Sequence, residues 1–283
     1  MSVFSIAGLQ LELETDDNLD LLCEEIRKVR RRFPWLQMVV LGELSAFGTD
    51  TKKAQPLPGD AENQFAAVAK ETGLWLAPGS LYENDNGVIF NTTPIINPDG
   101  VVVARHRKIF PFLPYEEKVA CGEEFTTFDI DGVGRFGVSI CYDMWFPETT
   151  RSLVCAGAEV IIHPTLTNTV DRDVELAIAR ANAASNQCYF IDINSAGPLA
   201  FGRSIVAGPG GEIIHQAGTG REIITVDIDL DYLRRVRERG WQGLGQQLKS
   251  FRDNPVRYTA YGAGRNSPAL NALGELKKSP KQE

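Results

Sequence analysis

Apolar positions recur along this chain with two different periods, and each change of period marks the border of an element. Residues 4–14, FSIAGLQLELE, open as an alternating strand. Leu19, Leu22, Cys23, Ile26, Val29 and Phe33 then return at three- and four-residue steps. That spacing predicts a helix with one buried face, capped by Asp16 or Asp17, with Arg27, Arg30, Arg31 and Arg32 mostly on its wet side. An apolar strand in MVVLGELSAFG (38–48) breaks off at Glu43. LPGDAENQFAAVAKETG (57–73) predicts a second helix, with Phe65, Val68 and Ala69 inward and Gly73 as its stop. Further strands follow in LWLAPGSLYE and GVIFNTTPIINPDGVVVARHRK, where Pro98-Asp99-Gly100 turns a hairpin and the run over 101–112 breaks off at Lys108.

The second half repeats this plan. FTTFDI and RFGVSI are strands, the latter ending at Cys141, and Pro147 and Glu148 suit the first turn of a helix that stops near Gly157. AEVIIHPT (158–165) is another apolar strand, DVELAIARANAASNQ (173–187) an alanine-rich helix, and CYFIDINSAG, GRSIVAGPGGEIIHQAG and EIITVDIDL return to strands with a second, Pro-Gly-Gly, hairpin. Two matched strand-helix sets predict an α/β fold of two sheets packed face to face with helices outside. No linker divides the halves, so residues 1–283 read as one domain with a core over about 4–229. In the extension, 230–283, a short charged helix (DLDYLRRVRERG) precedes a stretch rich in Gly, Arg and Asn. Its Trp241, Leu244, Leu248, Phe251 and Tyr258 are too many apolar side chains to leave in water, so its middle is expected to dock and its last ~15 residues to be partly disordered.

Three of the strands end on chemistry: Glu43, Lys108 and Cys141. Alone, each has an ordinary reading, as a polar cap, part of a surface charge run, or a buried structural cysteine. In an α/β sheet, however, several strand ends converge on one face, where a carboxylate, an ammonium and a thiol can meet. A cysteine at a strand-to-helix corner also faces backbone N–H groups and a helix dipole.

In that order, GELSAFG, HRKIFPF and GVSICYDMWFPE resemble the three signatures of the nitrilase superfamily of carbon–nitrogen hydrolases, and the similarity runs from Ser5 to about Asp229. The resemblance implies that Glu43, Lys108 and Cys141 form the catalytic set and that the fold is a four-layer α-β-β-α sandwich. It implies a further glutamate on the loop after the lysine, where Glu116 and Glu117 are both available. The step from Glu117 to Gly122 resembles the short loop of the aliphatic amidases and selects Glu117 as substrate orienter or auxiliary base. Tails in the family pack across a dimer interface, which implies a homodimer or higher homo-oligomer with the extension at the interface.

The thiolate, not the thiol, is the nucleophile, so Cys141 needs a base and a nearby positive charge. Glu43 suits the first role and Lys108 the second, while the Lys108 ammonium and the backbone N–H of Tyr142 are candidates to meet the developing oxyanion. Cys141-Tyr142-Asp143 resembles the amidase branches, whereas nitrile-cleaving members commonly read Cys-Trp-Glu. Branches acting on ω-amides of dicarboxylic acids or on carbamoyl amino acids often place an arginine shortly after the cysteine. Trp145 stands there instead, as in the carbamoyl-diamine amidases, whose aromatic face suits a neutral or cationic chain. Tyr115, Tyr142, Trp145 and Thr165 are the expected substrate contacts. Asp143, Glu148 and Arg151 read as buried scaffold pairs, and His163 beside Pro164 as a structural strand-end histidine. The competing readings are a nitrilase, an acyl transferase, and a binding or scaffold protein that has kept the fold.

Composition narrows the field. A chain of 283 residues with 43% hydrophobic content has enough apolar material for a sizeable core. A net charge of −8 disfavours nucleic acid as the main partner. No apolar run approaches the ~18 residues that span a bilayer, and the start lacks a charged region followed by a long apolar one, so a cytoplasmic protein is expected. The 5 cysteines include no CxxC pair and the 3 histidines show no ligand spacing, so neither a disulfide framework, a metal nor another cofactor is expected.

Overall fold

Because successive strand residues point to opposite faces, a strand that is apolar at every position must be covered on both sides. Several central strands of this chain are of that kind, and the computed structural model, which describes residues 3–261, 267–274 and 276, covers them in four layers. The first half contributes β1 (Val3–Gln10), α1 (Leu19–Arg32), β2 (Met38–Leu41), α2 (Asp60–Thr72), β3 (Trp75–Ala77), β4 (Leu81–Asp85), β5 (Val88–Ile96) and β6 (Val102–Arg107). The second contributes β7 (Thr127–Ile130), β8 (Gly134–Val138), α3 (Pro147–Cys155), β9 (Val160–Thr165), α4 (Arg172–Asn186), β10 (Tyr189–Asn194), β11 (Ile205–Ala207), β12 (Ile213–Gln216), β13 (Glu222–Asp229) and α5 (Leu230–Arg239).

One sheet runs β13-β1-β2-β3-β5-β4 with β6 beside β5, and the other runs β12-β11-β10-β9-β8-β7. Both expected hairpins form, β5 with β6 and β11 with β12, each antiparallel. Alternation sorts the side chains between layers. Ile6, Met38, Val40, Phe136, Val138, Val160, Ile162 and Ile191 meet between the sheets. Ala7, Val39, Leu41 and Leu76 face α1 and α2 through Leu22, Ile26, Phe65 and Val68. Ile161, Phe190 and Ile205 face α3 and α4 through Leu153, Leu176, Ala179 and Ala183. This is the α-β-β-α sandwich that the sequence predicts, and β13 pairs antiparallel with β1 to tie the end of the core to its beginning.

Local choices follow residue chemistry. The α1 face is the one its periodicity predicts, although Asn18 holds the cap position and Asp17 Oδ1 accepts from Leu19 N at 2.9 Å. Gly73 ends α2 in the left-handed region (φ +64), where a side chain is disfavoured. The extension docks less completely than expected. Leu248 packs against the α3–α4 layer, but Leu244, Phe251 and Tyr258 stay exposed. Phe251 lies under the Arg151 guanidinium and stacks on Tyr258 instead of entering a core. Within the final fifteen residues, 269–271 belong to the short helix Pro268–Asn271, while 275 and 277–283 lie outside the described residues. Among the described residues, no helix is long and apolar enough to cross a membrane.

Candidate active site

The strands β1, β2 and β3 are mutually parallel, and β6, antiparallel to β5, which is itself antiparallel to β3, runs the same way. In the facing sheet β8, β9 and β10 are parallel. The carboxyl ends of β2 and β9 come together where Glu43 N donates to Thr165 O at 3.0 Å. Gly42 permits this approach, since a Cβ there would lie 2.8 Å from Ser195 Oγ and 3.1 Å from Thr165 O.

Beyond these ends the backbone turns sharply. Cys141 opens a short 3₁₀ turn, Cys141–Trp145, with φ +46, and Leu44 after Glu43 has φ +48. Left-handed backbone at residues with side chains is held by its surroundings. Here Asp143 supplies the hold: its buried carboxylate accepts from Ile140 N (2.9 Å) and Phe110 N (2.8 Å) and lies 3.3 Å from His106 Nε2. One side chain thus ties the cysteine turn to the segment following Lys108.

The three strand-end groups do meet. Lys108 Nζ donates to Glu43 Oε1 and to Glu116 Oε2, both at 2.8 Å, and all three side chains are largely buried. Asn91 Nδ2 donates to Glu43 Oε1 (2.8 Å) and, more weakly, to Glu116 Oε1 (3.4 Å), while Tyr82 reaches Glu116 at 3.3 Å. The Cys141 thiol sits beside this cluster, against Leu166 O at 3.8 Å and in contact with Glu43 and Thr165. These groups form the floor of a cavity of about 490 Å³.

Burial sets the protonation states. It raises the Glu43 carboxyl, with help from the neighbouring Glu116 charge and against the pull of Lys108. It pushes the Cys141 thiol well above its ordinary range, and the Glu43 charge adds to that. Burial also works against the Lys108 ammonium, but Glu43, the Cys141 sulfur and Glu116 together hold it well above its usual value. Burial opposes ionisation of Glu116 as well, yet Lys108, Phe112 N–H and Asn91 outweigh it and bring its pKa down. The arrangement is a thiol whose ionisation burial opposes, beside a Glu43 carboxyl whose basicity burial enhances, with Lys108 between Glu43 and Glu116. A carboxylate made more basic by burial, next to a thiol, is placed for general-base work.

The expected loop glutamate needs correcting. Glu116, not Glu117, is the residue on Lys108. Phe112 to Glu116 forms one turn, with Glu116 N donating to Phe112 O (2.9 Å) and Phe112 N returning to Glu116 Oε2 (2.6 Å), which folds that side chain inward. Glu117, one residue on, is exposed at the cavity rim. Tyr115, Tyr142 and Trp145 line the cavity. Thr165 instead lies fully buried behind Cys141, because it belongs to β9 and the chain meets the cavity from Leu166 onward. Its contact is with Cys141, not with the cavity wall.

The remaining candidates are structural. His163 is buried with Nδ1 2.7 Å from Ser139 Oγ, and burial together with the Arg172 charge holds its pKa well below the usual histidine value. The expected pairing of Asp143, Glu148 and Arg151 is not what forms. Asp143 goes to His106 and backbone N–H groups, Arg151 donates to Ser185 O (2.9 Å), and Glu148 meets the Tyr261 hydroxyl.

The sequence profile of the family described as carbon-nitrogen hydrolase matches residues 5–238. The chain belongs to that family. It is 33% identical over 242 residues to omega-amidase NIT2-B of Xenopus laevis, covering 79% of this chain and 87% of the relative. Among solved structures it resembles Saccharomyces cerevisiae Nit3, a member of branch 10 of the nitrilase superfamily, with 31% identity, TM-score 0.77, and 84% and 94% of the two chains covered. An amidase from Nesterenkonia sp. shares the fold at TM-score 0.74 and 24% identity, over 83% of this chain and 94% of that one. The protein is thus a hydrolase acting on non-peptide carbon–nitrogen bonds.

Asn91, which donates to Glu43, and Glu175, which lines the cavity, were not singled out from sequence, whereas Glu116 was one of the two loop glutamates weighed there. Asn91 gives no signal beyond a polar residue inside an apolar strand. Glu175 had one: with Arg172, Leu176, Ala179 and Ala183 it shares the three- and four-residue spacing of the buried face of α4. Because Glu116 shares Lys108 with Glu43, Glu116→Gln is expected to lower kcat/KM on the order of 10²-fold by shifting the ammonium. Glu117→Gln should cost less, and steady-state kinetics of the two variants with the reverse ranking would return the role to Glu117.

Proposed function

We propose that this protein hydrolyses a small neutral or cationic amide, or a carbamoyl amine, through a thioester at Cys141. The observation that carries the reading is the Lys108 ammonium held 2.8 Å from both Glu43 and Glu116 beside a buried thiol on a cavity floor.

The sequence of steps follows from the protonation states. Glu43 takes the thiol proton as Cys141 sulfur bonds to the substrate carbonyl carbon. Negative charge then grows on the carbonyl oxygen, and the Lys108 ammonium and Tyr142 N–H meet it. Protonated Glu43 gives its proton to the departing nitrogen as the C–N bond breaks, so ammonia or an amine leaves and the acyl group stays on sulfur. Water, its proton taken by Glu43, opens the thioester to the acid, and the proton returns to the thiolate. Glu116 keeps Lys108 oriented and charged. The omega-amidase relatives favour an amide over a nitrile as substrate. The exposed Phe251, Tyr258 and Tyr261 of the extension support a homo-oligomer as the working form.

The test is ammonia release across short aliphatic amides, ω-amino amides, carbamoyl amines, dicarboxylic monoamides and nitriles. Turnover of amides or carbamoyl amines is expected, and turnover of nitriles alone would replace the proposal with a nitrilase. Glu43 must be ionised to act, and burial raises its pKa, so kcat/KM should climb with pH on an acid limb lying above the ordinary carboxylate value of about 4.3. A rate that stays level down to that pH would remove Glu43 from the base role.

A further inference from the structure

The cavity wall holds a buried carboxylate to which the bond-breaking steps assign no role. Glu175, on α4, is 3% exposed and lines the same cavity as Cys141. Its two oxygens are unequally engaged. Oε2 accepts from Thr167 Oγ1 at 2.8 Å and from Arg172 Nη1 at 3.1 Å, while Oε1 takes the longer bond, 3.4 Å, from Trp145 Nε1.

The charge around Glu175 does not balance. The Arg172 guanidinium, itself buried, lies 2.9 Å from Asp192 Oδ2 as well, so one positive charge serves two buried carboxylates. Asp192 Oδ1 and Arg172 Nε have no hydrogen-bond partner. Burial raises the Asp192 pKa to about 7, with Arg172 opposing the rise and the Glu175 charge adding to it. The cavity has the same sign. Its lining holds five carboxylates, Glu43, Glu116, Glu117, Asp171 and Glu175, against the ammonium groups of Lys108 and Lys118, and no arginine. Lys108 is already held by Glu43 and Glu116, and Lys118 is exposed.

A substrate ending in a carboxylate would place a like charge against these acidic walls, at a cost that grows with the water it loses. A substrate ending in an ammonium would bring the missing countercharge to Oε1 with Trp145 alongside. We propose that Glu175 is the specificity-determining residue of this site and selects a primary amide or carbamoyl amine whose far end is an ammonium group. This rests on the amidase reading and adds the end of the substrate that the reaction leaves untouched.

Three amides of equal chain length test it, ending in an ammonium, a methyl group and a carboxylate, each assayed by ammonia release with wild-type protein and Glu175→Gln. Wild-type kcat/KM is expected to favour the ammonium amide over the methyl one by ten-fold or more, with the carboxylate amide poorest. In Glu175→Gln the KM for the ammonium amide should rise ten-fold or more relative to that for the methyl amide, so that the preference collapses. The substitution leaves Arg172 paired with Asp192, and thermal unfolding checks that the fold persists. Calorimetric titration of the ammonium amide into Cys141→Ala, with and without Glu175→Gln, measures the same contact without turnover and should show the same loss of affinity. A wild-type preference for the methyl or carboxylate amide, or an equal fall on all three amides in Glu175→Gln, overturns the role of Glu175 and leaves the amidase standing. Cleavage of none of the amides tested, here and in the wider panel, overturns both.

Discussion

Cys141→Ala is expected to abolish ammonia release, by on the order of 10⁴-fold or more, while leaving the protein folded. The activity loss follows from chemistry: without sulfur no acyl-enzyme forms, and Glu43 and Lys108 are left with a water they are not positioned to deliver. The fold should survive because the change removes a single buried atom at the start of a turn that Asp143 holds through Ile140 N and Phe110 N. About 1 kcal/mol is at stake, or a few degrees in Tm for a chain of this size. Intact-mass analysis after rapid quenching gives a second readout, with wild-type protein gaining the mass of the acyl group and the variant gaining none. Activity within ten-fold of wild type would mean that another group attacks.

Lys108→Ala is the second large effect, and it acts on stability as well as rate. The substitution leaves Glu43 and Glu116 buried beside one another without the ammonium that both contact at 2.8 Å. Breaking a buried pair in this way costs about 3–5 kcal/mol, because the charges left behind stay out of water. With Lys108 in its proposed role of meeting the oxyanion, loss of its charge should lower kcat on the order of 10³-fold. The pH dependence separates this from simple cavity formation. With the lysine gone, the two carboxylates must share a proton and their folded-state pKa values rise. A raised folded-state value means stability that is present at low pH and lost as pH rises. Denaturant midpoints of Lys108→Ala should therefore approach wild type as pH falls from 7 towards the carboxylate range, with activity unrecovered. A gap in stability that is constant with pH would show that the lost ammonium is not what destabilises the protein.

The layers were legible because burial imposes periodicity. Continuous apolar runs such as VVL in β2 and VII in β9 must be covered on both faces, and the spacing of Leu22, Ile26, Phe65 and Val68 names the helix faces that cover one sheet. The hairpins were legible from Pro-Asp-Gly and Pro-Gly-Gly. The catalytic candidates were legible in part, since Glu43, Lys108 and Cys141 each end or follow a strand and lie in recognisable stretches. Less could be read of the extension, where the way Leu248 docks and Phe251 meets Arg151 depends on a surface assembled from distant segments.

By itself the sequence determined which segments are strands and helices, which faces are buried, and which residue types arrive at strand ends, because these depend on spacing along the chain. Tertiary structure decided the rest. Glu116 and Glu117 are neighbours of identical chemistry, and only the turn closed by Phe112 chooses which reaches Lys108. Thr165 was one residue from the cavity wall and became a backing for Cys141 because β9 runs to its position. Glu175 lies in the sequence far from all three signatures, and its place in the cavity arises from how α4, packed on the face of the sheet, lies beside the Cys141–Trp145 turn. Hydrophobic periodicity specifies a face, whereas charge and hydrogen bonding act over a few ångströms, and distances of that size between remote segments exist only once the sheets have packed.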